Sequence, residues 1–102
     1  MQNITPEEVK ERLDKGEQLN LVDVREPHER AEFNIGGVHI PLGQLQMMQV
    51  DELENLKNEE VIVYCRSGNR SGQAAMILDT LGFANTKNLS GGMLAWLQKY
   101  GQ

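Results

Sequence analysis

The chain has 102 residues, of which 39% are hydrophobic, with a formal net charge of −5 and one cysteine. That length fits a single domain, 1–102; the acidic balance argues against nucleic acid as a partner, and a lone cysteine rules out an intrachain disulfide framework. The longest apolar runs, Val61–Cys65 and Ala74–Leu78, are far too short for a membrane span, and Met1–Ile4 leads into polar Thr5–Arg12 without a signal-peptide pattern, so the expected location is the cytoplasm, with the thiol reduced.

The first element is marked by its cap. Thr5 is placed to cap a helix, Pro6 suits the first helical position, and Glu8 completes a capping box. Ile4 and Val9 stand where a hydrophobic staple closes, and Gly16 marks the helix end. Leu19–Val24 reads as a strand, apolar except for Asn20 and Asp23, and Pro27 with the charged stretch to Glu32 breaks it. Gly36-Gly37 marks a turn, Val38–Ile40 a short strand stopped by Pro41, and Leu42–Leu56 helix in pieces, with Asp51 as a cap.

The second half has stronger periodicity. Val61–Tyr64 is continuous, mostly β-branched and apolar, as expected of a central parallel strand covered on both faces. The loop Cys65-Arg66-Ser67-Gly68-Asn69-Arg70 follows. Ala74, Ile77, Leu78 and Leu81 then form one helical stripe ending at Gly82. Thr86–Leu89 suits another strand, and Met93, Trp96, Leu97 and Tyr100 repeat the stripe on a final helix. Strands alternating with helices predict a parallel sheet with helices on both faces.

Ligands of such sheets bind outside the carboxyl ends of the strands, where Cys65 stands. The next helix begins within a few residues, so its free N–H groups and positive dipole end point into the loop. A tight strand-to-helix loop also curls its N–H groups into an anion nest, for which Gly68 supplies the freedom. Charge distribution agrees: 14 of the 15 acids lie in 1–60, whereas 61–102 holds Arg66, Arg70, Lys87 and Lys99 against Asp79 alone. Such surroundings lower a cysteine pKa from about 8.5 to between roughly 3.5 and 7.5. A buried, inert cysteine is the plainer reading of a lone thiol, but the strand end, Gly68 and the two arginines together favour a nucleophile. Arg66 is expected to point to the mouth of the site, and Arg70 to organise the loop carbonyls. Ser71 is placed either to donate a hydrogen bond to the sulfur or to stabilise the helix start. Asp23 and Arg25 stand near a strand end, within reach of the site, but the plainer reading is an internal ion pair involving Glu32; Trp96 suits a core anchor. His28 and His39 lack ligand-spaced partners, so no metal is expected.

The C-x4-R loop from Cys65 to Arg70, after Val61–Tyr64, resembles the active-site loop of rhodanese-like sulfurtransferases. Leu21-Val22-Asp23-Val24-Arg25-Glu26 resembles the family's first strong strand, and Leu89-Ser90-Gly91-Gly92-Met93-Leu94-Ala95-Trp96 its C-terminal signature. Glu32–Leu42 is compressed relative to members with a Gly-His-Ile element before the Pro-Leu turn. The resemblance covers nearly the whole chain and implies a rhodanese-like α/β fold with a five-stranded parallel sheet, no metal or cofactor, and a persulfide on Cys65. Arg66, Ser67, Gly68, Asn69 and Arg70 then surround a small anionic sulfur donor such as thiosulfate, with cyanide, a thiol or a protein as acceptor.

Two other readings compete. Cysteine phosphatases and arsenate reductases use a loop one residue longer, C-x5-R, wide enough for a tetrahedral oxyanion, whereas Arg70 is the fifth residue after Cys65. A sulfur-carrier or interaction module without rapid turnover is the second.

Overall fold

The computed structural model describes residues 1–101. In chain order the elements are β1 (Gln2–Ile4), α1 (Pro6–Asp14), β2 (Leu21–Asp23), α2 (Pro27–Glu32), β3 (Val38–His39) and α3 (Leu42–Gln46). A 3₁₀ helix (Asp51–Leu56) then precedes β4 (Glu60–Tyr64), α4 (Asn69–Thr80), β5 (Asn85–Leu89) and α5 (Gly92–Tyr100). The five strands form one parallel sheet in the order β1-β5-β4-β2-β3.

The central position of β4 explains its unbroken apolar sequence, because its period-two alternation feeds two separate cores. Val61 and Val63 join Val22, Leu45, Leu53, Ala74 and Leu78 on the α3–α4 face. Ile62 and Tyr64 join Ile4, Val9, Leu89, Met93 and Trp96 on the α1–α5 face. The five-stranded parallel sheet expected from the sequence is therefore present, with helices covering both of its sides.

Two elements were not read from the sequence. β1 pairs Ile4 with Leu89 at the sheet edge, so Ile4 serves a strand as well as the helix start. Three residues are too few to display a period. α2 occupies the stretch expected only to break β2. Pro27 begins it, and the Glu26 N–H donates to the Glu29 carboxylate at 3.0 Å, a capping-box contact. None of its residues is buried, so it carries no apolar stripe to reveal it.

Asp23 and Arg25 form the internal ion pair, but Glu32 takes no part in it. The buried Asp23 carboxylate accepts from the Arg25 guanidinium at 2.9 and 2.8 Å and from the Arg25 backbone N–H at 3.0 Å, and Arg30 adds a contact at 3.4 Å. A second cation compensates a fully buried carboxylate, as its desolvation demands; another acid would add repulsion. Arg25 also donates to the Phe33 carbonyl at 2.7 Å, which ties the chain after α2 to the end of β2.

Candidate active site

Cys65 follows β4 directly and continues its alternation, so its side chain falls on the face of Val61 and Val63, under α4. It is 1% exposed. Gly68, with φ 106°, turns the chain into α4 through the left-handed region open to glycine. That turn aims the Gly68 N–H at the sulfur, 3.1 Å from Sγ. One helical turn on, the fully buried Ser71 brings its hydroxyl to 3.3 Å from the same atom.

The loop is held from behind by the start of α5. The N–H groups of Met93 and Leu94 donate to the Cys65 and Arg66 carbonyls, each at 2.9 Å. Gly92 makes this approach possible, since a Cβ there would lie 2.5 Å from the Cys65 carbonyl oxygen. Two helix N-termini thus meet the loop: α4 faces the sulfur, and α5 takes up the carbonyls that point away from it.

Burial pushes the Cys65 thiol up, but hydrogen bonding outweighs it. The Ser71 hydroxyl and the N–H groups of Ser71, Gly68 and Ser67 stabilise the thiolate, and the net pKa falls below the ordinary thiol value. Sγ is therefore a buried sulfur whose thiolate form is favoured by donors on its loop side.

The residues expected at the site take different places. Cys65, Ser67 and Gly68 converge on the sulfur, Ser71 joins them through its hydroxyl, and Asn69 is exposed at the start of α4. Arg66 is exposed and lines a groove of about 600 Å³ beside the loop, between α2 and α5, with Arg25, His28, Phe33 and Leu94 on its walls. Arg70 departs from expectation. Its guanidinium does not organise loop carbonyls; it grips Glu29 of α2 with two hydrogen bonds of 2.7 and 2.8 Å. The loop carbonyls of Cys65 and Arg66 already have the α5 N–H groups, and a carboxylate matches the planar fork better than a carbonyl does. That bidentate bond holds the Glu29 carboxyl down to about 2.

Glu29 and Asn88 escaped the sequence reading. The Glu26–Glu29 capping-box spacing was a legible sign that 27–32 is a helix, although not that Glu29 meets Arg70. Asn88, on β5, is buried and donates to the Gly68 carbonyl at 3.1 Å. Nothing in its sequence neighbourhood announced that contact.

The sequence model of the rhodanese-like domain matches residues 5–99. YtwF of Bacillus subtilis, named for sulfurtransferase function, is 40% identical over 98 residues, covering 94% of this chain and 90% of YtwF. YrkF of the same organism, named as a sulfur carrier protein, is 39% identical over 97 residues, covering 94% of this chain but 51% of YrkF, so the chain spans about half of that relative. The crystal structure of a rhodanese-like domain protein from Staphylococcus aureus superposes with a TM-score of 0.80 at 32% identity, covering 94% and 91% of the two chains.

Proposed function

This chain belongs to the rhodanese-like family, and we propose that it is a sulfurtransferase whose Cys65 takes sulfane sulfur from a small anionic donor such as thiosulfate and passes it on as a persulfide. In the first displacement the Cys65 thiolate attacks the outer sulfur of thiosulfate. The new S–S bond forms as the bond to the sulfonate sulfur breaks, and sulfite leaves with the electron pair. The negative charge then resides on the outer sulfur of Cys65–S–S⁻. In the second displacement cyanide or a thiolate attacks that outer sulfur and the Cys65 thiolate returns. The two half-reactions share one covalent intermediate, which gives ping-pong kinetics.

The observation that carries this reading is the Cys65 sulfur itself, facing the Gly68 N–H at 3.1 Å and the Ser71 hydroxyl at 3.3 Å. Donors already in place favour the ionised nucleophile without a neighbouring base, and a reducing cytoplasm keeps a lone thiol free for the reaction. Arg66, exposed on the groove wall, suits the sulfonate end of thiosulfate. A protein acceptor also suits this reading, since a relative is named as a sulfur carrier.

Intact-mass analysis tests the proposal. Thiosulfate should add one sulfur atom to the protein, cyanide should remove it as thiocyanate, and Cys65→Ser should lose both steps while keeping the fold. Thiocyanate release by the serine variant at the parental rate would overturn it.

A further inference from the structure

Behind the sulfur lies a polar group that the transfer chemistry above leaves unused. Asn88 Nδ2 donates to the Gly68 carbonyl at 3.1 Å, and its Oδ1 lies 2.5 Å from Ser71 Oγ. The amide cannot sensibly be reversed, because its oxygen would then face the Gly68 carbonyl oxygen, acceptor against acceptor. Its fit is close: a Cβ on Gly72 would come 3.4 Å from Nδ2. Ser71 therefore stands between two groups that can accept its hydrogen, Asn88 Oδ1 at 2.5 Å and Cys65 Sγ at 3.3 Å, and a hydroxyl has one hydrogen to give.

We propose that Asn88 is a positioning residue that competes with the Cys65 sulfur for the single hydrogen of Ser71, so that this hydrogen faces Sγ only while Sγ carries the negative charge. The inference rests on the reading of Cys65 as the thiolate nucleophile. With a neutral thiol, Ser71 donates to Asn88, the nearer acceptor, and offers a lone pair to the S–H. With a thiolate, the charged acceptor makes the stronger hydrogen bond, and the hydroxyl turns to Sγ. Once the persulfide has formed, Sγ is a neutral divalent sulfur and a weak acceptor, and the hydrogen returns to Asn88. Ionisation releases the thiol proton to solvent; the Ser71 hydroxyl itself only rotates in these turns and gives up no proton. The recovered bond to Asn88 favours the loaded state, while its loss on ionisation keeps the thiol pKa higher, and with it the nucleophilicity of the thiolate.

The other groups around the sulfur do not duplicate this effect. Arg70 interacts with Cys65 through charge and is itself held by Glu29 of α2. α5 brings the apolar Met93, whose N–H goes to the Cys65 carbonyl. β5 brings the neutral Asn88.

The pH dependence of iodoacetamide alkylation of Cys65 tests the proposal on the full chain. Asn88→Leu removes the competing acceptor, and the midpoint should fall by about half a unit, with alkylation at pH 6 roughly threefold faster. A purely structural role predicts the opposite sign, since loss of the Gly68 contact loosens the N–H donors and raises the midpoint. In a Ser71→Ala background the leucine substitution should give no fall. A raised or unchanged midpoint in Asn88→Leu, or a fall that persists without Ser71, overturns the proposal. Asn88→Ala carries the same expectation if leucine does not fit, and near-isosteric Asn88→Asp should raise the midpoint. The wild-type profile separates the two layers. A wild-type midpoint at about 8.5 overturns the thiolate reading itself, whereas a low one that is insensitive to Asn88 overturns this inference alone.

Discussion

Arg70 and Glu29 are joined by two parallel hydrogen bonds, of 2.7 and 2.8 Å, although 41 residues separate them in the chain. The arginine that ends the thiol loop thereby holds α2, a helix with no buried residue of its own. Since α2 forms one wall of the groove beside the loop, this pair and the Arg25–Phe33 contact set where that wall stands. Its value lies in geometry, because a single charge at either position would attract without fixing an orientation.

Substitutions at the pair should therefore be coupled. Glu29→Gln and Arg70→Lys should each lower the maximal rate of sulfur transfer, and the double variant should be little worse than either alone. The coupling in urea unfolding should be about 1 kcal/mol, toward the upper end for a pair open to solvent on one side. Additive effects in the double-mutant cycle would show that the two side chains act separately.

The same pair sets an acid limit. The hydrogen bonds from Arg70 hold the Glu29 carboxyl down to about 2, against an ordinary value of 4.5. A depressed value in the folded state means that the unfolded chain takes the proton more readily. The stabilisation is thus complete above about pH 4.5 and is lost as the pH falls toward 2. Urea unfolding at pH 7, 4 and 2.5 should show wild type and Glu29→Gln converging at the lowest pH. A constant difference across that range would contradict the assignment.

Arg66 should behave differently from Arg70, because it is exposed on the groove wall. Arg66→Lys keeps the charge near the donor and should change thiosulfate kinetics less than about threefold. Arg66→Ala should raise the Michaelis constant by about tenfold, the order expected for losing one charged contact to a small anion. Its maximal rate should fall far less. Steady-state kinetics with thiosulfate decide this, and equal effects of Arg66→Lys and Arg70→Lys would remove the distinction.

Gly92→Ala probes the support behind the loop. The new methyl group would lie 2.5 Å from the Cys65 carbonyl oxygen, at a residue with φ 57°. Backbone strain and the displaced loop together should cost about 2–4 kcal/mol and slow sulfur loading. Thermal melts and loading rates measured on the same samples check both effects. A melting temperature within one degree of wild type would show that α5 yields without disturbing the loop.

The sequence was legible where a period or a cap has a physical cause that repeats. The apolar run of β4 announced a strand covered on both sides, the stripes on α4 and α5 announced their buried faces except at Tyr100, which the last turn of α5 leaves exposed, and Thr5-Pro6 announced a helix start. The placement of Cys65 after the central strand followed from these. β1 and α2 were missed because one is too short to show a period and the other buries nothing. The role of Arg70 was misjudged for a different reason: its partner lies on another helix, and contacts between distant side chains leave no local pattern. Asn88 is the same case, one of four polar residues in β5, and its use is decided entirely by what packs above it.

The pairing of β1 with β5 bears on how the chain assembles. Gln2–Ile4 can find its hydrogen-bonding partner only in Lys87–Leu89, after more than eighty intervening residues. A ribosome will therefore have synthesised almost the entire domain before the edge of the sheet can close, and no N-terminal fragment can complete the α1–α5 core, to which Leu89, Met93 and Trp96 contribute. Contacts of such long sequence separation slow folding and make it cooperative. Chains truncated before residue 89 should stay open and vulnerable to proteases, so the cell is offered either the whole reactive domain or none of it.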